Sequence, residues 1–116
     1  MAHRIYGMPV AKVYSAYLAK IERKGRTRAE LDAVIGWMTG HDAASLTRVL
    51  AEGVPFERFF AEAPALNAAR EQVTGVICGV RIEEIAEPLM REIRILDKLV
   101  DDLAKGRPLA KVLRQV

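Results

Sequence analysis

Helix stop signals followed at once by helix start signals recur along this sequence, and they constrain the fold more than any other feature. Gly25 precedes Thr27 by two residues, and Thr27 and Glu30 have the spacing of a capping box. Glycine ends helices because it adopts the left-handed conformation easily, and threonine begins them by accepting a backbone N–H bond. The same punctuation recurs at Gly40/Asp42, Gly53/Pro55 and Gly106/Pro108. The chain is therefore predicted to be a series of helices joined by tight connections.

Apolar side chains between these signals recur every three or four residues, as on one face of a helix. They predict helices from Pro9 to Gly25, over 28–39 and 43–52, after Pro55, over 88–104 and after Pro108. A further helix is predicted from Asn67 through Val80, and a short strand is the alternative for 75–82. We prefer the helix because no second strand candidate is available to satisfy the strand's backbone groups. We predict a single all-α domain over 1–116, a compact array of six or seven short-to-medium helices.

Composition excludes several classes of protein. Hydrophobic residues make up 51% and charged residues 28%, which is typical of a globular core and not of a disordered chain. One cysteine permits no internal disulfide, and no apolar run approaches the roughly 20 residues of a membrane span. The N-terminus lacks the apolar segment of a signal peptide. We expect a cytoplasmic protein with no membrane association.

The net charge of +3 is concentrated at the first interhelical corner. The corner, here called the basic corner, comprises Lys20, Arg23, Lys24, Arg26 and Arg28. Such a cluster could contact nucleic-acid phosphates, and helices 28–39 and 43–52 superficially match a helix-turn-helix. The second of these helices offers few polar side chains for reading bases, however, and cations near a helix C-terminus also complement its dipole. We prefer the dipole interpretation, with weak nucleic-acid binding as the alternative.

No side-chain pattern predicts a catalytic residue, a metal site or a cofactor. His3, His41 and Cys78 lack the paired spacing that metal ligands show. Cys78 lies among apolar residues, which predicts a small core residue in preference to a nucleophile. We lean towards a protein that is not an enzyme.

Two other sets of residues offer weaker chemical hypotheses. Glu83, Glu84 and Glu87 precede the long helix, where acidic side chains favour the helix dipole more often than they catalyse. A pocket for an anion or an aromatic ligand could be built near the N-terminal segment. Its candidate residues are Arg4, Tyr6, Tyr14 and Arg81.

Six segments in order along nearly the whole chain carry a family resemblance. They read HRIY at 3–6, KGRT at 24–27, WMTG at 37–40, FFAEAP at 59–64, CGVR at 78–81 and LDKLVD at 96–101. On these segments the chain resembles an uncharacterised bacterial family catalogued as domain of unknown function 2200. The resemblance implies a small stand-alone cytosolic protein and assigns no catalytic or binding residue. It also implies an aromatic residue at the position of His41, which argues against a chemical role for that histidine.

The functional prediction is a non-enzymatic module that acts through an interaction surface. The apolar stripe of the 88–104 helix has coiled-coil-like spacing, for which packing within the chain is the default interpretation. A homodimer through this helix or the region of Trp37 is the second interpretation. The alternatives are a small-molecule or anion pocket near the N-terminal segment and weak nucleic-acid binding through the basic corner.

Overall fold

A computed structural model describes residues 3–113, and helices dominate it. The α-helices are α1 (Val10–Glu22), α2 (Arg28–Thr39), α3 (Ala43–Ala51), α4 (Phe56–Ala61), α5 (Pro88–Ala104) and α6 (Leu109–Val112). Short 3-10 turns cover Arg4–Gly7, Ala68–Gln72 and Ile82–Glu84, and a hairpin joins β1 (Val76–Ile77) to β2 (Val80–Arg81). The predicted all-α class is confirmed, with this small hairpin as an addition. No helix within residues 3–113 has the length and apolar content that a membrane span requires.

Local capping bonds place the first helix boundaries where the sequence predicted them. The Thr27 hydroxyl accepts from the Glu30 N–H at 3.3 Å, and the Glu30 carboxylate accepts from the Thr27 N–H at 3.1 Å. Asp42 and Ser45 form a second reciprocal cap at the start of α3. Gly40 ends α2 in the left-handed conformation, with φ of 83°. The stop-and-start punctuation is therefore confirmed for α2 and α3.

The segment predicted as a helix after Asn67 is a 3-10 turn followed by the hairpin, so that prediction is wrong beyond the cap. Asn67 does cap, because its side-chain oxygen accepts from the Ala69 N–H at 2.9 Å. The strands pair antiparallel across Cys78 and Gly79, which both have positive φ, 52° and 78°. A two-residue hairpin turn uses such angles, whereas a right-handed helix excludes them. The two halves of the segment pair with each other, so each strand satisfies backbone groups of the other.

The hairpin turn also places Cys78 in solvent, so the prediction of a core cysteine is wrong. Its thiol is free and exposed. The neighbouring Val76 and Val80 are 52% and 42% exposed, because the short hairpin lies on the surface of the protein with β1 against α5. Apolar neighbours in sequence therefore did not mean a buried position.

The long helix α5 is the centre of the fold. It contacts α1, α2, α4, α6, β1 and the turn at Ile82–Glu84. Its fully buried apolar side chains are Ile93, Ile95, Leu96, Leu99, Val100 and Leu103. The stripe predicted for dimerisation comprises Leu89, Ile93, Leu96, Val100 and Leu103. Leu89, at the N-terminal end of the helix, is its half-buried member. The rest of that stripe is covered within the chain.

The N-terminal segment is tied to the connection before α4. The Val10 N–H donates to the Val54 carbonyl at 2.9 Å, and the Phe56 N–H donates to the Met8 carbonyl at 3.1 Å. Phe56 also packs with Phe59 and Phe60 in an aromatic cluster on α4. These contacts hold α4 in position beside the start of α5.

Candidate ligand-binding groove

A groove of about 480 Å³ lies between α4 and the start of α5. The segment 66–71 and the residues just before α5 complete its walls. Most of the lining is apolar, contributed by Phe60, Ala61, Leu66, Ile85, Ala86, Pro88 and Leu89. A volume of this size lies in the range of about 300–1,000 Å³ that small-molecule sites occupy. We call this feature the α4–α5 groove.

One ion pair in the lining of the groove is held by several short contacts. The Arg70 Nε lies 2.9 Å from both carboxylate oxygens of Glu92. The Arg70 Nη1 also donates to the Asn67 carbonyl at 2.9 Å. Hydrogen bonds between charged partners are shorter and stronger than those between neutral groups. Arg70 and Glu92 therefore satisfy each other.

A second arginine in the lining, Arg91, is held more weakly. Its Nη2 lies 3.4 Å from the carboxylate of Glu71, whose side chain is 54% exposed. The Arg91 Nε is buried and has no hydrogen-bond acceptor within residues 3–113. An unsatisfied buried donor costs about 1–3 kcal/mol. The groove therefore contains a cation with unused hydrogen-bonding capacity.

The residues predicted to form a pocket near the N-terminal segment each have contacts of their own, and the pocket stays a prediction. Arg4 is exposed, and the Tyr6 hydroxyl donates to the carboxylate of Glu87 at the surface. Arg81 is exposed on the hairpin and pairs with Glu84 at 3.3 Å. None of these residues lines the α4–α5 groove. Tyr6 is linked to the edge of the groove, because its partner Glu87 directly precedes Pro88, which lines it.

The fourth predicted pocket residue, Tyr14, is buried between α1 and α2 beside a similar tyrosine. The Tyr14 hydroxyl donates to the carboxylate of Asp32 at 2.6 Å, and the Tyr17 hydroxyl donates to that of Asp97. Burial, reinforced by the bond to Asp32, raises the pKa of Tyr14 to about 12. Burial also raises the pKa of Tyr17 well above its ordinary value. These hydroxyls join α1 to α2 and α5.

We expect these raised tyrosine pKa values to make the fold sensitive to alkali. An unfolded tyrosine loses its proton near pH 10, whereas the folded Tyr14 keeps it until about pH 12. The contribution is therefore complete below pH 10 and is lost as the pH rises towards 12. Urea unfolding between neutral pH and pH 11 should show a shallower decline for Tyr14→Phe than for wild type. Parallel declines would contradict the assignment.

Two cations of the basic corner make contacts within the fold. The Lys20 Nζ lies 3.0 Å from the Asp101 carboxylate on α5. The Arg26 Nη1 donates to the carbonyls of Leu103 at 3.1 Å and Arg107 at 2.7 Å. These bonds attach the corner to the C-terminal end of α5, where cations also favour the helix dipole.

The other three cations of the basic corner, Arg23, Lys24 and Arg28, are exposed. Arg23 donates to the carbonyl of Ala19 in its own helix at 3.4 Å. The Arg28 guanidinium lies 5.8 Å from the centre of the Tyr14 ring. Nucleic-acid binding at this corner stays a prediction, and it now relies on three exposed side chains.

His41 has two contacts that account for its position. Its ring stacks on that of Phe59, with centroids 5.2 Å apart, and its Nδ1 lies 2.9 Å from the Ser45 Oγ. Burial lowers the pKa of His41. The Ser45 Oγ also accepts from the Asp42 N–H at 3.1 Å as part of the helix cap. Within the described range of 3–113, no three His, Cys, Asp or Glu side chains are grouped to hold a metal ion.

The three acidic residues before α5 have different partners. Glu83 accepts from the Gly75 N–H at 3.0 Å, a bond that lowers the pKa of its carboxyl. Glu84 pairs with Arg81, and Glu87 accepts from the Tyr6 hydroxyl. These contacts secure the hairpin and the N-terminal turn, and they do not form the pair of carboxylates on one cleft that acid–base catalysis uses.

The residues of the α4–α5 groove escaped sequence reasoning. They come from 57–61, 66–71 and 85–92, and no short motif joins these segments. Leu89 was the one residue of the groove that the sequence pattern singled out, because it extends the apolar stripe of α5 to the N-terminal end of the helix. Arg70 and Arg91 had no signal, since the pairs Arg70–Glu92 and Arg91–Glu71 join different segments of the chain.

Comparison with known proteins decides the family. The family model for "Uncharacterized protein conserved in bacteria (DUF2200)" matches residues 4–114. This chain belongs to the DUF2200 family. A solved structure described as "Crystal structure of uncharacterized protein SP1917" shares 46% identity with this DUF2200 chain and a TM-score of 0.91, covering 99% of this chain and 94% of that one. No curated protein matches the chain.

The DUF2200 membership confirms the resemblance predicted from the six segments. The solved structure is similar over almost the whole length of both chains, so the helical array is shared with it. Neither comparison names a ligand, partner or reaction. The role of the groove is therefore argued from its own geometry.

Proposed function

We propose that this protein is a non-enzymatic binding protein and that the α4–α5 groove is its binding site. The observation that carries the proposal is a groove of about 480 Å³ whose lining is mostly apolar. Binding sites of this size gain affinity from apolar contact and take their specificity from a few polar groups. The groove has apolar side chains and several charged ones. We expect the protein to act in the cytoplasm, as predicted from the composition.

The polar residues of the groove support binding in preference to catalysis. Among the described residues that line it, none is a His, Cys or Ser, the side chains that most often act as a base or nucleophile. Arg70 and Glu92 are bound to each other at 2.9 Å. This arrangement supports a site that orients a ligand without reacting with it.

A charge placed in the lining tests the proposal. Leu66 lies in the groove and is exposed, so Leu66→Glu should fold while opposing an apolar ligand. The neutral fluorescent probe N-phenylnaphthylamine should bind wild type saturably, and Leu66→Glu should weaken that binding by about tenfold, or 1.4 kcal/mol. Fluorescence titration measures both.

Val80→Glu is the matched control, since Val80 is an exposed apolar residue on the hairpin outside the groove. It should leave probe binding unchanged. A wild type that does not bind the probe saturably, or equal losses in the two variants, would count against the groove as the binding site.

A homodimeric interaction module is the second candidate function. Trp37 is half-buried against the core, so part of this residue stays accessible to a partner, which favours this region over α5. The apolar stripe of α5 offers less support, because most of it is packed inside the chain. Sedimentation velocity over a wide concentration range should show self-association that Trp37→Ala weakens. A monomer at every concentration rejects this candidate.

A further inference from the structure

The two arginines of the α4–α5 groove differ in how firmly they are held. Arg70 is bound by both oxygens of Glu92 and by the carbonyl of Asn67. Among residues 3–113, the carboxylate that Arg91 contacts is the exposed one of Glu71, at 3.4 Å. Ion pairs with an exposed partner contribute little to stability. Arg91 is therefore the lining cation that can exchange its partner.

The donors of Arg91 match a carboxylate. A guanidinium presents its N–H groups in a planar fork, and two of them can bind both oxygens of one carboxylate. Within residues 3–113 the Nε of Arg91 has no acceptor, while its Nη2 has the single weak contact to Glu71. The Nε is enclosed by protein whereas the side chain as a whole is 34% exposed, so a carboxylate that binds both donors requires the Arg91 side chain to turn its Nε and Nη2 edge towards the groove.

The start of α5 adds positive potential at the same end of the groove. Pro88 and Leu89, its first residues, line the groove, and the side chain of the N-cap residue Glu87 makes no capping bond to the helix. A helix N-terminus favours negative charge. Among the lining carboxylates, Glu92 is neutralised by Arg70, and Glu57 and Glu71 are exposed. Arg91, whose side chain is 34% exposed, therefore lies at the α5 side of the groove with no carboxylate held as firmly against it as Glu92 is against Arg70.

We infer that the α4–α5 groove binds a small apolar carboxylate, with Arg91 holding the carboxylate and Phe60, Leu66 and Leu89 contacting the hydrocarbon. The inference rests on the proposed function. A free acid fits better than a protein segment, because about 480 Å³ is a small-molecule volume, whereas a stable protein interface buries roughly 1,000 Å² or more. The ligand carboxylate replaces Glu71 on Arg91.

Octanoate and its matched neutral amide, octanamide, test this assignment by isothermal titration calorimetry. Wild type should bind octanoate about tenfold more tightly than octanamide, and Arg91→Gln should remove that preference. Glu71→Gln should tighten octanoate binding severalfold, because it removes the competing carboxylate. Arg48→Gln is the control, since Arg48 is exposed on α3 outside the groove, and it should bind as wild type does.

The possible results separate the inference from the proposed function. Equal affinity for octanoate and octanamide, or octanoate binding unaffected by both Arg91→Gln and Glu71→Gln, overturns the role of Arg91 and leaves the groove as a binding site. Failure of octanoate, octanamide and the neutral probe overturns both. A peptide ending in Leu with a free C-terminus that binds far more tightly than octanoate overturns the choice of a small acid.

Discussion

Gly40→Ala should lower the free energy of unfolding by about 2–5 kcal/mol, whereas Gly53→Ala should lower it by about 1–2 kcal/mol. Both glycines have positive φ, 83° and 65°, so both substitutions carry the strain of a left-handed alanine. They differ in the space around them. A Cβ on Gly40 would lie 2.7 Å from the backbone nitrogen of Ala65, whereas one on Gly53 would meet no atom within 4 Å.

The segment against Gly40 has little freedom to move away. The Ala65 N–H donates to the Thr39 carbonyl and the Asn67 N–H donates to the Met38 carbonyl, each at 3.0 Å. A shift that relieves the contact stretches both bonds. The same segment carries Leu66, so Gly40→Ala should also weaken probe binding in the α4–α5 groove.

Urea unfolding of wild type and the two alanine variants measures the difference. Gly53→Ala is the matched control, because it has the backbone strain without the contact. Equal losses of stability would show that the conformation of Gly40 matters and the approach of Ala65 does not.

Arg26→Ala should lower the free energy of unfolding by about 2–4 kcal/mol, because hydrogen bonds made by a charged group contribute about 1.5–3 kcal/mol each and are not additive. The Arg26 side chain is only 14% exposed. It donates to the carbonyls of Leu103 and Arg107 and to the carboxylate of Glu30. Its removal leaves those acceptors without their donor and detaches the basic corner from α5.

Arg23→Ala is the control for Arg26→Ala in the same corner. Arg23 is exposed and donates only to a carbonyl of its own helix, so its loss should change stability by less than about 0.5 kcal/mol. Similar effects of the two variants would show that charge at the corner matters and the particular bonds of Arg26 do not.

The pH dependence of the Arg26 effect provides a second check. The hydrogen bond from Arg26 holds the pKa of the Glu30 carboxyl below its ordinary value of 4.5. Such a contribution is complete above pH 4.5 and is lost as the pH falls through the folded pKa. The stability difference between wild type and Arg26→Ala should therefore shrink as the pH falls below 4.5 and through the lowered pKa of Glu30. A difference that stays constant on acidification would contradict the pairing.

The helical part of this fold could be predicted because its signals are local. Thr27 and Asp42 begin helices through bonds to residues three positions along the chain, and Gly40 ends one through its own φ. The segment after Asn67 could not be predicted in this way. Its sequence pattern fits both a helix and a strand. The positive φ angles of Cys78 and Gly79 in the structure decide for a hairpin.

The candidate site could not be predicted, because its contacts join distant positions. Arg70 meets Glu92 across 22 positions. The groove needs α4 beside the first turn of α5, which depends on how α5 packs at the centre of the fold. Tyr6 and Tyr14 were chosen for their chemical type. Their hydroxyls donate to the carboxylates of Glu87 and Asp32, which tertiary packing brings to them.

By itself, the sequence determined the helical class, the main helix boundaries and the family, because capping, periodicity and residue identity are properties of neighbouring positions. The tertiary structure alone decided that Arg26 joins the corner to α5 across 77 positions, that Cys78 lies in solvent and that Arg91 lines a groove. The physical reason is that packing selects which side chains meet, and no local pattern contains that information.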